Sequence, residues 1–313
     1  MSVAPSSATK PLVWLPFDPD CLGDPPAGLD YEAFLPEPGA QLPDWLSRVE
    51  FYVPPYDWSG DGFEMLGRMP SLKVVQTMTA GVERIRPYVP EGVLLCNGRG
   101  IHDASTAELA MALMLASLRG IPRFVRSQQE HRWDHLTLPA LADKTVLIVG
   151  YGAIGAALER RLDGFEAEVV RVTRTAREGT HGFEELRELL PEADVVVLIV
   201  PLTAETRGMV DAAFLGQMKD GSLLVNVARG PVVETAALLS ELRRGRIHAA
   251  LDVVDPEPLP AEHPLWDAPN LLVSPHVGGA SSAMWPRAHR LVREQLHRFA
   301  AGEPLDNVMT GEY

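Results

Sequence analysis

Cysteine is nearly absent from this chain: Cys21 and Cys96 are the only two in 313 residues. Two thiols cannot build a disulfide framework, and neither stands at a metal-ligand spacing, so a disulfide scaffold is excluded and no metal site is expected. They read as reduced, idle thiols of a cytoplasmic protein. No apolar run reaches the length that spans a bilayer, and no apolar signal core stands at the start. Residues 1–10 are rich in Ser, Ala, Thr and Pro and read as a frayed or tag-like terminus. Positive charge is scarce as well, with 28 Lys and Arg against 42 Asp and Glu and a net charge of -14. Such a chain lacks the basic surface of a general nucleic-acid binder. An anionic ligand would have to be met by local cations, because the overall field repels it. Neither nucleic acid nor a membrane is therefore expected as a partner.

What is present is enough for two domains, with 46% hydrophobic and 22% charged residues. Apolar runs at 12–15, 49–53, 72–76 and 93–96 read as four strands separated by Asp, Gly and Pro. Helical pattern in that region is confined to 43–48 and 62–68. A long helix follows. Ser105-Thr106-Ala107-Glu108 has the form of a capping box with Ser105 as N-cap, residues 109–118 carry the helix, and Gly120-Ile121-Pro122 ends it. Ala110 to Ala116 is apolar nearly all round, which predicts burial on both faces. A second helical segment is read at 126–133.

From Thr145 strands and helices alternate. Strands are read at 146–149, 169–172, 195–200, 223–227, 249–253 and 271–273, and helices at 153–162, 183–190 and 234–243. Continuous apolar strands alternating with helices mean a parallel sheet covered on both faces. Residues 284–300 read as a last helix, with Pro286 in its first turn and Gly302 beyond its end. Two α/β units with a cleft between them are expected, the last helix returning the chain to the first unit.

Gly150-Tyr151-Gly152-Ala153-Ile154-Gly155 follows a strand directly and opens a helix. In that setting the three glycines have separate tasks: Gly150 permits the tight turn, Gly152 lets the backbone approach a pyrophosphate, and Gly155 lets the helix pack on the sheet. The helix N-terminus adds unpaired N–H groups and partial positive charge. The next strand ends Thr173-Arg174-Thr175-Ala176-Arg177, without the carboxylate that would bind ribose hydroxyls. A guanidinium at Arg174, assisted by Arg177, suits a ribose phosphate. NADP(H) is therefore expected in preference to NAD(H), with NAD(H) as the second cofactor.

Reduction of a 2-keto acid needs a cation for the carboxylate, a proton for the carbonyl oxygen, and a donor that titrates near working pH. Arg229 lies just past the strand at 223–227, Glu257 past the one at 249–253, and His276 past the one at 271–273. In an open parallel sheet the strand ends share one rim, so all three candidates fall beside the glycine turn. Each alone is weak: there are nine histidines, and Asp252 and Asp255 compete with Glu257 for the carboxylate's role.

Together these segments resemble the D-isomer-specific 2-hydroxyacid dehydrogenases from about residue 70 to the C-terminus. The resemblance is strongest in 150–155, 201–203, 226–230, 251–260 and 274–279. It implies an α/β fold of two doubly wound domains: a Rossmann-type dinucleotide-binding domain over 100–284, and a smaller flavodoxin-like substrate domain from 1–99 plus 285–313. It implies that Arg229 binds the substrate carboxylate and carbonyl, that His276 is the general acid/base, and that Glu257 is its partner, favouring the imidazolium. Asp252 is similar to the residue near the nicotinamide carboxamide. Pro201, Val227 and Gly278 match cofactor-pocket positions. Thr79-Ala80-Gly81 resembles the loop whose backbone, at Ala80 and Gly81, holds the substrate carboxylate together with Arg229 and His276. The resemblance also implies a homodimer that buries the region 105–118.

Glu257 separates this chain from the formate dehydrogenases of that family, which carry glutamine there. The Thr173-Arg174-Thr175 ending resembles the NADP-preferring glyoxylate/hydroxypyruvate reductases. One departure stands out: Arg229 to Glu257 is one position shorter than the common pattern, which places a one-residue deletion before Leu251. Tyr56, Met78 and Trp285 are candidates for lining the substrate pocket. Two other readings share the same residues: a nicotinamide-sensing interaction protein of the corepressor type, and a dehydrogenase of another small anion such as phosphite.

Overall fold

The computed structural model describes residues 9–35, 41–56 and 63–311. The chain forms two compact units, one of Met1–Ile101 with Ala283–Tyr313 and one of His102–Ser282. Of the terminus read as frayed, residues 1–8 lie outside the described residues.

The first unit holds strands β1 (Leu12–Leu15), β2 (Asp30–Ala33), β3 (Val49–Tyr52), β4 (Val74–Gln76) and β5 (Leu94–Cys96). They form one parallel sheet in the order β2-β1-β3-β4-β5, the flavodoxin-like order. Side chains alternate across it. Val13, Leu15, Phe51 and Val74 face one core with Ala288, Val292 and Leu296 of the C-terminal helix Met284–Ala301. Leu12, Trp14, Tyr52 and Val75 face a second core with Leu46 and Leu66. That two-sided burial makes the central strands mostly apolar, with Glu50 in β3 and Gln76 in β4 as the polar exceptions.

Only four of the five strands are legible in the apolar runs. β2 reads Asp-Tyr-Glu-Ala and is largely exposed, because an edge strand with one neighbour needs no continuous apolar face. The two helical segments expected here are 3-10 turns, Asp44–Arg48 and Phe63–Arg68, while Gly62 lies outside the described residues. Cys96 is buried in β5, and burial pushes its thiol up to about 11, in keeping with an idle core residue.

The second unit holds β6 (Thr145–Val149), β7 (Glu168–Val172), β8 (Val195–Leu198), β9 (Leu223–Asn226), β10 (His248–Leu251) and β11 (Leu271–Val273). All pairings are parallel, in the order β11-β10-β9-β8-β6-β7. Its helices are α1 (Asp103–Leu118), α2 (Ile121–Gln129), α3 (Ala153–Leu162), α4 (Leu186–Leu189), α5 (Ala212–Gln217) and α6 (Thr235–Arg243). Alternate residues of β8 show why the sheet is covered on both sides. Val195 and Val197 pack with Ala110 and Met114 of α1 and Leu158 of α3, whereas Val196 and Leu198 pack with Leu215 of α5 and Leu238 of α6. No single helix among the described residues is long and apolar enough to cross a membrane.

Several local readings are corrected. α1 starts three residues early, with His102 at the N-cap, so Ser105 lies inside the helix and its hydroxyl donates to the His102 carbonyl at 3.2 Å. Thr106 is buried there and its hydroxyl donates to the Gly278 carbonyl at 3.3 Å, a contact remote in sequence. α1 ends at Leu118 as expected, but the second helical segment, expected at 126–133, is α2 at Ile121–Gln129, with Pro122 in its first turn, where its missing N–H costs nothing. The helix expected at 183–190 is α4 flanked by two 3-10 turns, the second containing Pro191. α5 was not legible from periodicity; Asp211 caps it, accepting the Phe214 N–H at 2.8 Å.

Candidate active site

The order of the second sheet reverses between β6 and β8, where an open parallel sheet leaves a crevice at its carboxyl ends. The glycine turn leaves β6 at that point. Gly150 has φ +101, and a Cβ there would meet the Ile199 carbonyl and the Val200 nitrogen at 2.6–2.7 Å, so only glycine lets the turn pass the end of β8. At Gly155 a Cβ would press on the Gly150 carbonyl and Ile148 at 3.3 Å. At Gly152, by contrast, nothing lies within 4 Å. The turn therefore leaves bare backbone beneath open space at the start of the ten-residue α3, where Ala153 and Ile154 open the helix. This cradle fits a dinucleotide pyrophosphate, which a Cβ at Gly152 would obstruct. Tyr151 leans away: its hydroxyl donates to the Glu159 carboxylate, and the Arg171 guanidinium pairs with Glu159 while lying 5.6 Å from the Tyr151 ring centre. Giving that hydrogen bond holds the Tyr151 phenol above its usual range.

Past β7 the chain folds back on itself. The Thr173 hydroxyl donates to the Thr175 carbonyl at 2.8 Å and lies 2.9 Å from the Thr180 hydroxyl. That leaves Arg174 projecting at the tip, 75% exposed, with its Nε 2.6 Å from Glu205. Arg177 donates to the Tyr151 carbonyl at 3.0 Å, so both cations stand around the glycine turn. Pro201 follows β8, and its carbonyl accepts the Thr206 hydroxyl at 2.6 Å.

Arg229 follows β9. Its placement depends on Asn226, which is 1% exposed: the amide nitrogen donates to the Arg229 carbonyl at 3.1 Å and the amide oxygen accepts the Ala228 N–H at 3.0 Å. Val227 is buried between them. Gly230 has no room for a side chain, since a Cβ there would lie 1.8 Å from the Val254 carbonyl oxygen.

Glu257 and His276 meet across the loops after β10 and β11. His276 Nδ1 lies 2.8 Å from Glu257 Oε2, and Glu257 Oε1 accepts the Val254 N–H at 3.3 Å. Burial pushes the Glu257 carboxyl up. The hydrogen bond and charge of His276, the Val254 N–H and the Arg229 charge outweigh it, and hold the group below the usual carboxylate range. A carboxylate can only accept, so Nδ1 carries the proton of this contact.

His276 itself sits at φ +53, a left-handed backbone that β-carbon residues resist. Asp252 over-determines it. Buried at 2% exposure, its carboxylate accepts the Ser274 hydroxyl at 2.6 Å, the Val277 N–H at 2.9 Å and the Gly278 N–H at 2.8 Å, while its carbonyl accepts the His276 N–H at 2.8 Å. Arg229, Glu257 and His276 thus stand at the carboxyl ends of three neighbouring strands, β9, β10 and β11. Sequence reasoning missed Asn226 and Ser274 as supports. Their polar side chains at the ends of apolar strands were the available signal.

In the first unit, Thr79-Ala80-Gly81 follows β4. The carbonyls of all three residues are engaged: Thr79 by Gly98 N–H at 2.7 Å, Ala80 by Asn97 Nδ2 at 3.0 Å, and Gly81 by the Thr79 hydroxyl at 2.7 Å. Met78 is buried in the core, Tyr56 packs on that core half-buried, and Trp285 is exposed beside Phe17. Among the described residues no group of His, Cys, Asp or Glu is arranged to hold a metal ion.

Residues 111–278 match the family model described as "D-isomer specific 2-hydroxyacid dehydrogenase, NAD binding domain". A glyoxylate reductase of Thermococcus litoralis is 36% identical over 263 residues, covering 79% of this chain and 79% of that protein. A solved D-isomer specific 2-hydroxyacid dehydrogenase from Xanthobacter autotrophicus, in complex with NADPH and MES, is similar with a TM-score of 0.81 and 33% identity, covering 97% of this chain and 98% of that one. The NADPH-dependent glyoxylate/hydroxypyruvate reductase of Sinorhizobium meliloti, in complex with NADP and sulfate, has a TM-score of 0.82 and 30% identity, covering 96% and 98%.

Proposed function

The chain belongs to the D-isomer specific 2-hydroxyacid dehydrogenase family, and on that premise we propose that it reduces a small 2-keto acid, of the glyoxylate or hydroxypyruvate type, with NADP(H) as preferred cofactor. The observation that carries this reading is the His276–Glu257 pair at 2.8 Å, on the rim that also presents Arg229 and the glycine turn.

In this reading residues 150–155 cradle the pyrophosphate, Arg174 meets the ribose phosphate with Thr173 and Thr175, and Pro201, Val227, Asp252 and Gly278 line the remainder of the cofactor site. When bound, the reduced nicotinamide supplies a hydride to the substrate's carbonyl carbon. Arg229 pairs with the substrate carboxylate and polarises the carbonyl, a match of fork to carboxylate that a lysine would not give. His276 Nε2 gives its proton to the carbonyl oxygen, so that the carbonyl becomes a hydroxyl. In the reverse direction the same nitrogen takes the proton back. Glu257 holds the ring's orientation and offsets its positive charge. Ala80 and Gly81 are proposed as backbone partners of the substrate in the first unit.

We place the enzyme in the cytoplasm as a homodimer. Support for a second copy comes from α1 and α2, where Ala112, Ile121 and Val125 are exposed, and from Trp133 beyond them, which is 96% exposed.

A panel of 2-keto acids with both cofactors, followed by nicotinamide absorbance, tests the reading. His276→Ala loses most of kcat, on the order of 10²–10⁴-fold for a general acid. Arg229→Ala raises KM strongly and lowers kcat. Near-normal turnover by both variants refutes the assignment.

A further inference from the structure

We infer that Glu205 is a specificity-determining residue: it competes with the cofactor's 2′-phosphate for Arg174 and so sets how strongly the enzyme prefers NADP(H). The inference rests on the reading of Arg174 as the phosphate partner.

Three observations carry it. First, Arg174 is already taken. Its Nε lies 2.6 Å from Glu205 Oε2, an ion pair between the loops that follow β7 and β8. Those two strands flank β6, so the pair reaches from one side of the glycine turn to the other. Second, Glu205 stands on a built turn. The Thr203 N–H donates to the Thr206 hydroxyl at 2.8 Å, that hydroxyl donates to the Pro201 carbonyl at 2.6 Å, and the Arg207 N–H donates to the Thr203 carbonyl at 3.0 Å. Thr206 is 3% exposed, so the backbone beneath Glu205 is fixed and only its side chain can yield. Third, the neighbouring Arg177 rests on a neutral acceptor, the Tyr151 carbonyl at 3.0 Å. A phosphate displaces a neutral carbonyl readily, whereas at Arg174 it must displace another anion.

The consequence is graded selectivity. A phosphate dianion outbids one carboxylate for a guanidinium, so binding proceeds, but it exchanges one ion pair for another. The pair is solvent-exposed, with side chains 75% and 46% accessible, so its competition is modest and weakens with salt. Nucleotides without the 2′-phosphate make no such exchange.

Titration calorimetry on the full chain, with 2′,5′-ADP and 5′-AMP as the probes, tests this without turnover. Glu205→Gln tightens 2′,5′-ADP by about two- to fivefold, the scale of an exposed ion pair, and leaves 5′-AMP unchanged. In an Arg174→Ala background the same substitution changes neither ligand, as a double-mutant cycle requires of a direct competition. If Glu205→Gln leaves 2′,5′-ADP unchanged while Arg174→Ala weakens it, the competition is refuted and the role of Arg174 stands. If Glu205→Gln tightens 2′,5′-ADP equally in the Arg174→Ala background, the effect is a general removal of negative charge and the inference falls. If Arg174→Ala leaves 2′,5′-ADP binding intact, it is the reading of Arg174 itself that fails.

Discussion

Gly230→Ala is the most incisive test of how the site is assembled. Gly230 follows Arg229 and is buried, and its backbone is not in the left-handed region, so alanine meets no conformational objection. The obstacle is steric. An added Cβ would lie 1.8 Å from the Val254 carbonyl oxygen, 2.1 Å from its carbon and 2.9 Å from the Asp255 nitrogen, where real Cβ atoms keep at least 3.0 Å. The first contact is short by about 1.2 Å, and both sides are backbone, so no side chain can rotate out of the way.

Either the turn carrying Arg229 or the segment carrying Glu257 must move, and Val254 holds Glu257 through its N–H at 3.3 Å. Overpacking of this kind costs about 1–3 kcal/mol in stability. A misplacement near 1 Å of a positioning group costs on the order of 10²-fold in rate. The expected result is a kcat/KM for 2-keto acid reduction down about 100-fold, a lowered melting temperature, and unchanged binding of 2′,5′-ADP, since the glycine turn leaves a different strand. Gly216→Ala is the control: it lies in α5 with nothing within 4 Å, so it stabilises by about 0.5–1 kcal/mol and leaves turnover intact. A Gly230→Ala enzyme with the parent's kcat/KM and melting temperature refutes the argument.

Two further predictions address the loop of His276 and its partner. Asp252→Asn keeps one acceptor oxygen where three donors converge, so at least one buried N–H or O–H faces an amide NH₂. The cost is about 1–3 kcal/mol, read as a fall in melting temperature together with reduced kcat; unchanged values of both would exclude Asp252 as the anchor of that loop. Glu257 titrates below its ordinary value in the folded chain, so its contribution to stability is complete above the free glutamate range of about 4.3 and is lost as pH falls through the lowered folded value. Urea melts should therefore show the parent more stable than Glu257→Gln at pH 7, by less than about 1 kcal/mol because the carboxylate is 38% exposed, with the gap closing below about pH 4. A gap that widens on acidification would contradict the sign.

The legible and illegible parts of this molecule divide along a physical line. β6, β8 and β9 stood out because a strand buried on both faces must be apolar over most of its length, whatever its neighbours are. β2 did not, because an edge strand is exposed and its partner supplies the pattern. The end of the C-terminal helix at Gly302, φ +69, was legible, since the signal is the glycine itself. The start of α1 was not: Ser105 and Glu108 have the letters of a capping box, but the helix already begins at Asp103, and Thr106 is buried against Gly278, 172 positions away. Arg229, Glu257 and His276 could be picked out by residue type and by standing just past strands. The task of Asp252 could not, for its partners are 22 to 26 positions away and it has the same local sequence whether or not they arrive.

The sequence by itself determined the alternation of strand and helix, the glycine turn at the end of β6, and which side chains stood ready at the ends of β9, β10 and β11. These are properties of neighbours along the chain, fixed by periodicity, steric freedom and side-chain chemistry. The tertiary structure decided that those three strands lie side by side, that a buried Asp252 pins His276 in a backbone conformation it would not choose alone, and that Arg174 rests on Glu205. Each of those depends on strand order and register, which are set by packing two faces of one sheet at once and by no stretch of sequence short enough to read on its own.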